Sequence, residues 1–192
     1  MLVLGTIIAL ATFVLFYLMT VFALSWGTTA LGYSRQQFLI LQLFAVVFFA
    51  ITIPVSALLA DKYGRRITMI LISIAMMLFG LLIAPMFVAN SMISVTIFLS
   101  LGLALMGMTY GPLGTMLSEL FPAEIRYTGV SLTFNLGGIF GASLAPYAAT
   151  WLATNYGLQY VGYYLSGASL LTLIALLLVA KPQIAPVVAT RN

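Results

Sequence analysis

Only ten of the 192 residues carry a formal charge, seven Lys or Arg and three Asp or Glu, and there is neither histidine nor cysteine. Chemistry that needs a thiol, an imidazole or a soft-metal ligand set is therefore excluded. Three carboxylates lying near loops do not suit a hard-metal site. No catalytic set, metal site or cofactor is expected. The charges that remain are grouped. Asp61-Lys62-Tyr63-Gly64-Arg65-Arg66 is one cluster; Ser118–Gly129, with Glu119, Glu124 and Arg126, is the other. The chemistry open to them is charge pairing. Asp61 and Glu119 each follow a long apolar run and so fall at the C-terminal end of a helix dipole, where a carboxylate is disfavoured. Arg65, Arg66 and Arg126 open the next runs, where a cation is disfavoured, each misplacement costing about 0.3–1 kcal/mol. Pairing across the loops offsets both costs: Glu119 is in reach of Arg126 or Arg65, and Asp61 of the amides that open the fifth helix. Solvated loop charges are the alternative, since exposed pairs contribute about 0–1 kcal/mol.

The elements that position these clusters are membrane spans. The chain is 64% hydrophobic and 5% charged, against roughly 25% charged for a soluble domain. The charges divide it into uncharged runs 1–34, 36–60, 67–118 and 127–180. At about 20 residues per crossing, the first two runs hold one helix each and the last two hold two each. The expected helices are 2–24, 37–60, 67–86, 92–117, 122–153 and 158–180, with a tail at 181–192. Hairpins are expected at Pro85–Ser91 and at Thr154-Asn155-Tyr156-Gly157. Pro122 suits the first position of the fifth helix and Glu124 its first turn. If the six helices alternate, Lys62, Arg65, Arg66, Arg126, Lys181 and Arg191 share one side and Arg35 has the other. The positive-inside rule then puts both termini in the cytoplasm of a multi-pass plasma (inner) membrane protein. The net charge of +4 is thus a matter of topology and no nucleic-acid partner is expected. Met1–Ser25 has no basic lead-in and too long an apolar run for a signal peptide.

Polar side chains at mid-span are the candidates for binding a small molecule: Tyr17 and Thr20 on the first helix, Gln42 on the second, Tyr110 on the fourth and Asn135 on the fifth. An amide in hydrocarbon needs a partner, and an interhelical hydrogen bond is the competing reading for each. Gly107 with Gly111, and Gly137 with Gly141, Ala145 and Ala149, mark faces where helices can approach closely. No carboxylate, Lys, Arg or His lies within the apolar stretch of any expected span, and there is no channel filter and no intramembrane catalytic pair, so an enzyme is not expected.

The segment Asp61-Lys62-Tyr63-Gly64-Arg65-Arg66 resembles the D-x-x-G-R-R loop signature of the major facilitator superfamily. Glu119-Leu-Phe-Pro122-Ala-Glu124-Ile-Arg126-Tyr-Thr-Gly129 resembles the partner loop of that family's C-terminal half. Gly111-Pro112-Leu113-Gly114 and Gly138-Ile139-Phe140-Gly141-Ala142-Ser143 are similar to the metabolite:proton symporters, the group of the α-ketoglutarate, shikimate and proline/betaine permeases. The resemblance implies an all-α integral membrane fold, one six-helix half of a twelve-helix transporter. It implies alternating-access transport of a small organic metabolite, an organic acid or zwitterion, coupled to protons. It also implies a cytoplasmic latch in which Asp61, Gly64, Arg65, Arg66, Glu119 and Arg126 take part. The bilayer, a metabolite, protons, and a missing N-terminal half or a second copy are the partners implied. A truncated remnant that transports nothing and a self-standing six-helix oligomeric channel remain the alternatives.

Overall fold

The computed structural model describes residues 1–88 and 91–179. All regular structure among them is helical. The helices are α1 (Leu2–Thr29, with a π turn at Leu18–Phe22), α2 (Arg35–Tyr63), α3 (Arg65–Met86) and α4 (Met92–Ser118). Then come α5 (Arg126–Ile139, a π turn Phe140–Leu144 and Ala145–Asn155) and α6 (Leu158–Leu178). All except α5 are long and apolar enough to cross a membrane. Residues 126–155 are helical throughout, but a hydroxyl-bearing face makes α5 less apolar.

The helix ends depart from expectation in instructive places. α1 runs on to Thr29 because the polar Ser25–Thr29 stretch caps itself: Thr28 and Thr29 hydroxyls donate back to the carbonyls of Leu24 and Ser25. α2 starts at Arg35 through a capping box, Ser34 accepting from the Gln37 amide while the Gln37 side chain accepts from the Ser34 amide. Pro85 lies inside α3 rather than in the hairpin. α5 does not begin at Pro122; residues 123–125 form a turn, closed by the Ile125 amide on the Pro122 carbonyl (3.2 Å), and Arg126 is the first helical residue. Glu124 consequently sits in that turn, not in the first turn of a helix. Residues 89, 90 and 180–192 lie outside the described residues, so the middle of the 85–91 hairpin and the expected tail with Lys181 and Arg191 do too.

Three close pairings build the bundle. α2 lies along α4, where Gly107 and Gly111 of α4 leave room for Thr52, Ser56 and the Phe49 and Ile53 carbonyls of α2. The Thr52 hydroxyl donates to the Ala104 carbonyl at 2.9 Å. α3 lies along α6, Gly80 facing Gly162, with Ser166 donating to the Met77 carbonyl at 2.8 Å. α1 fills the middle and packs on α5, whose buried stripe Gly129-Thr133-Gly137-Gly141-Ala145-Ala149-Ala153 recurs every four residues. A side chain at Gly141 would strike Phe13, and one at Gly137 would press on Ala9 and Phe13. Small residues on such faces let backbones approach where lipid offers no hydrophobic drive for helices to associate. α1 is the most enclosed of the five apolar spans and α2 the least.

Candidate functional site

Both charge clusters meet at one end of the bundle, joined by Arg65. Its guanidinium pairs with Glu119 at the end of α4 and lies 3.8 Å from Asp61 in the last turn of α2. Gly64 makes this possible. It is at once the last cap of α2 and the first of α3, with φ 93 and ψ 136, a conformation that disfavours any side chain. Arg66, next along, turns the other way: its Nε and one terminal nitrogen donate to the carbonyls of Leu176 and Leu177, each at 2.8 Å. These carbonyls end α6 and have no acceptor role inside it, so Arg66 satisfies them and places a cation at the negative end of the α6 dipole. Two adjacent arginines thus tie α3 to α2, α4 and α6. A groove of about 650 Å³ opens beside them, lined by Asp61, Arg65, Arg66 and Glu119 among others. Each partner of the Arg65–Glu119 pair is about one-third exposed, so solvent screens it and it contributes about 1 kcal/mol or less to stability.

Arg126 does not join this network. Its Nε donates to the Phe121 carbonyl at 3.3 Å, closing the loop it starts from. Glu119 has turned to Arg65, and Asp61 to Arg65 rather than to the amides of α5. The reason is geometric. With α5 starting at Arg126 instead of Pro122, the Phe121–Ile125 turn separates Glu119 from α5, whereas α3 delivers Arg65 to the end of α4.

The mid-span candidates fall into two places. Thr20 lies in the π turn of α1 and donates to Phe16 at 2.7 Å; Gln42 of α2 donates to the carbonyls of Met19 (2.8 Å) and Thr20 (3.1 Å) in the same turn. A π turn offsets the backbone ladder and presents carbonyls sideways, and the Gln42 amide satisfies two of them. Tyr17, one residue before this turn, is half-buried and edge-on to Phe16. Tyr110 is exposed on α4 and sits between Phe49 of α2 and Phe134 of α5. Asn135 is exposed on α5, its amide donating to the Ser131 carbonyl at 2.7 Å.

What the sequence reading missed is the outward face of α5. Tyr127, Ser131, Asn135, Ser143 and Tyr147 are exposed away from the buried small-residue stripe, and Thr150 and Thr154 are exposed on its flank, interspersed with Leu132, Ile139, Phe140, Leu144 and Trp151. The four-residue steps Tyr127-Ser131-Asn135, Ser143-Tyr147 and Thr150-Thr154, interrupted at Ile139, were the available signal. The Ser143, Thr150 and Thr154 hydroxyls donate to carbonyls four residues back, which satisfies their protons but leaves oxygen lone pairs facing outward.

The profile described as Major Facilitator Superfamily matches residues 3–191. The chain is 50% identical over 181 residues to the inner membrane metabolite transport protein YhjE of Escherichia coli (strain K12), covering 92% of this chain and 41% of that protein. It is 32% identical to the citrate-proton symporter of Klebsiella pneumoniae, over 89% of this chain and 39% of the symporter. It is 31% identical to the shikimate transporter of Escherichia coli (strain K12), over 87% and 39% respectively. The chain therefore spans about two fifths of the length of the curated relatives it matches. No solved structure matches it.

Proposed function

This chain belongs to the Major Facilitator Superfamily, and on that footing we propose that it acts as the C-terminal half of a secondary transporter for a small organic metabolite. It is a multi-pass protein of the inner membrane. Its named relatives are transport proteins, and the reading here is of a transporter rather than an enzyme. The observation that carries it is the polar outward face of α5. A span whose hydroxyl and amide side chains point away from its own bundle must meet water or more protein, and in transporters built from two halves the substrate path lies between the halves. Residues 126–155 on this reading cross the membrane too, as the fifth of six spans. The end bearing Arg65 and Glu119 is the cytoplasmic one, from the bias of six cations against Arg35 in the sequence.

Asp61, Gly64, Arg65, Arg66 and Glu119 are then this half's part of a cytoplasmic latch, closed in the outward-facing state and parted as the halves rock. Citrate and shikimate, named for two relatives, both carry carboxylates, which favours an organic acid or zwitterion as cargo. Coupling to protons, as in the relative named a citrate-proton symporter, would place the proton-accepting acid in the other half. Among the described residues the acids Asp61, Glu119 and Glu124 all lie at or beyond helix ends.

Uptake of labelled citrate, shikimate and glycine betaine tests this in two cell lines. One expresses the chain alone, the other the chain fused behind the N-terminal half of the 50% identical Escherichia coli protein. Saturable uptake is expected only with the fusion. Uptake by the lone chain would overturn the half-transporter reading. A correctly inserted fusion that takes up none of the three would overturn carboxylate transport.

A further inference from the structure

We propose that the aromatic strip formed by Phe49, Tyr110 and Phe134 holds the onium end of a zwitterionic metabolite at mid-membrane, and that Tyr110 sets the preference for that charge. This rests on the transport reading above and narrows its cargo from an organic acid or zwitterion to a zwitterion. Four rings from four helices stand in one row. Phe49 of α2 and Tyr110 of α4 are 6.0 Å apart between centroids, Tyr110 and Phe134 of α5 6.4 Å, and Phe134 and Phe13 of α1 4.9 Å, each pair set edge to face. At 1.5 Å per residue, Tyr110 and Phe134 lie about 12 Å along their helices from the Arg65 end of the bundle, Phe13 about 17 Å and Phe49 about 21 Å. These depths straddle the middle of a hydrocarbon core about 30 Å thick.

Tyr110 is the open member of the row, 42% exposed. Among the described residues no group hydrogen-bonds to its hydroxyl. Facing lipid at that depth, the hydroxyl would stand unpaired at a cost, so its exposed side meets a cavity or the opposing half. The sign of the bound charge follows from the rings. An aromatic face carries partial negative charge, which attracts a cation within about 6 Å of the centroid and disfavours a carboxylate. Asn135, next to Phe134 and also exposed, turns its amide nitrogen to Ser131, and no described group donates to its oxygen. That oxygen adds negative charge of the same kind. Every charged residue of the described helices lies in a first or last turn, so this half offers a carboxylate no cation at mid-depth. An onium group finds aromatic faces and an amide oxygen there, and quaternary ammonium groups are the ligands that aromatic surfaces recognise in this way. The Tyr110 hydroxyl is the one hydrogen-bond donor on the strip and is placed to take the carboxylate of the same molecule.

Glycine betaine and tert-butylacetate test this, the second having the same shape and carboxylate but a neutral carbon in place of the cationic nitrogen. Saturation-transfer NMR on the two-half fusion in lipid nanodiscs reads weak binding of each and does not require transport. Glycine betaine is expected to half-saturate at a concentration at least fivefold lower than tert-butylacetate. Tyr110→Phe keeps the ring and should hold that ratio within twofold. Tyr110→Leu and Tyr110→Met, at an exposed position, should abolish it. Equal binding of the two probes, or no binding of glycine betaine, overturns the proposal. So does a preference untouched by Tyr110→Leu and Tyr110→Met, which would mean that the opposing half selects the cation. Binding with the expected preference but no uptake of glycine betaine by the fusion would sink the transport reading and keep the site; uptake of citrate or shikimate without glycine betaine binding would do the reverse.

Discussion

The two loops at the Arg65 end of the bundle have similar contents and opposite solutions. Each places an arginine at a helix start and a glycine nearby. In the α2–α3 loop the glycine is needed for its backbone: Gly64 has φ 93 and nothing within 4 Å of an added Cβ. In the α4–α5 loop the glycine is needed for its lack of volume: a Cβ on Gly129 would lie 2.5 Å from the Phe121 ring. The α2–α3 loop is a tight reversal that swings Arg65 and Arg66 onto three neighbouring helices. The α4–α5 loop is a wider turn packed on its own phenylalanine, and it leaves Arg126 facing outward. A shared inventory of residues therefore yields an internal tie in one loop and an open cation in the other.

Charge reversal gives the largest effect. In the two-half fusion, Glu119→Arg should lower uptake at least tenfold. Adding Arg65→Glu should recover part of it, and adding Arg126→Glu should recover none. Rescue by Arg126→Glu instead would erase the distinction between the loops. Next come the glycines, read by thermal unfolding in detergent. Gly64→Ala should cost about 1–3 kcal/mol through its backbone conformation, whatever its neighbours. Gly129→Ala should cost about 1–3 kcal/mol through overpacking, and Phe121→Leu should relieve it; relief of Gly64→Ala by any neighbouring substitution would contradict the backbone account. A smaller effect is expected at Arg66→Gln. It leaves the Leu176 and Leu177 carbonyls without their charged donor, at about 1–2 kcal/mol after allowing for partial exposure. The smallest is Arg126→Gln, expected to change stability by less than about 0.5 kcal/mol, or to raise it slightly by removing a cation from the start of α5. A loss above about 1 kcal/mol there would show that Arg126 is tied into the fold after all.

Much of this was legible in the chain itself. The uncharged runs located the helices, because burying a charge in lipid is costly enough to keep charges at the ends. Arg65 and Glu119 could be marked as candidates for pairing because each was badly placed for its own helix, with Arg126 as the alternative partner, and Gly64 was marked by the loop signature it shares with the family. The boundaries were less legible. Pro122 signalled a helix start that a turn took instead, and Pro85 signalled a hairpin but stayed within α3, since a proline near a helix end is compatible with either outcome. Gln42 is the same kind of case: its polarity was evident, but not that the π turn of α1 would present the Met19 and Thr20 carbonyls to it.

Sequence alone determined the environment, the helical class and the charge clusters, because hydropathy and charge position are local quantities that lipid reads directly. Which carboxylate meets which arginine was left to the tertiary structure. Glu119 is seven residues from Arg126 and 54 from Arg65, yet it pairs with Arg65. The packing of α3 beside α4, and the turn that holds α5 apart, fix distances that sequence separation does not. The same packing turned the small side of α5 inward onto α1 and its polar side outward, and so decided which of its residues are free to meet a ligand.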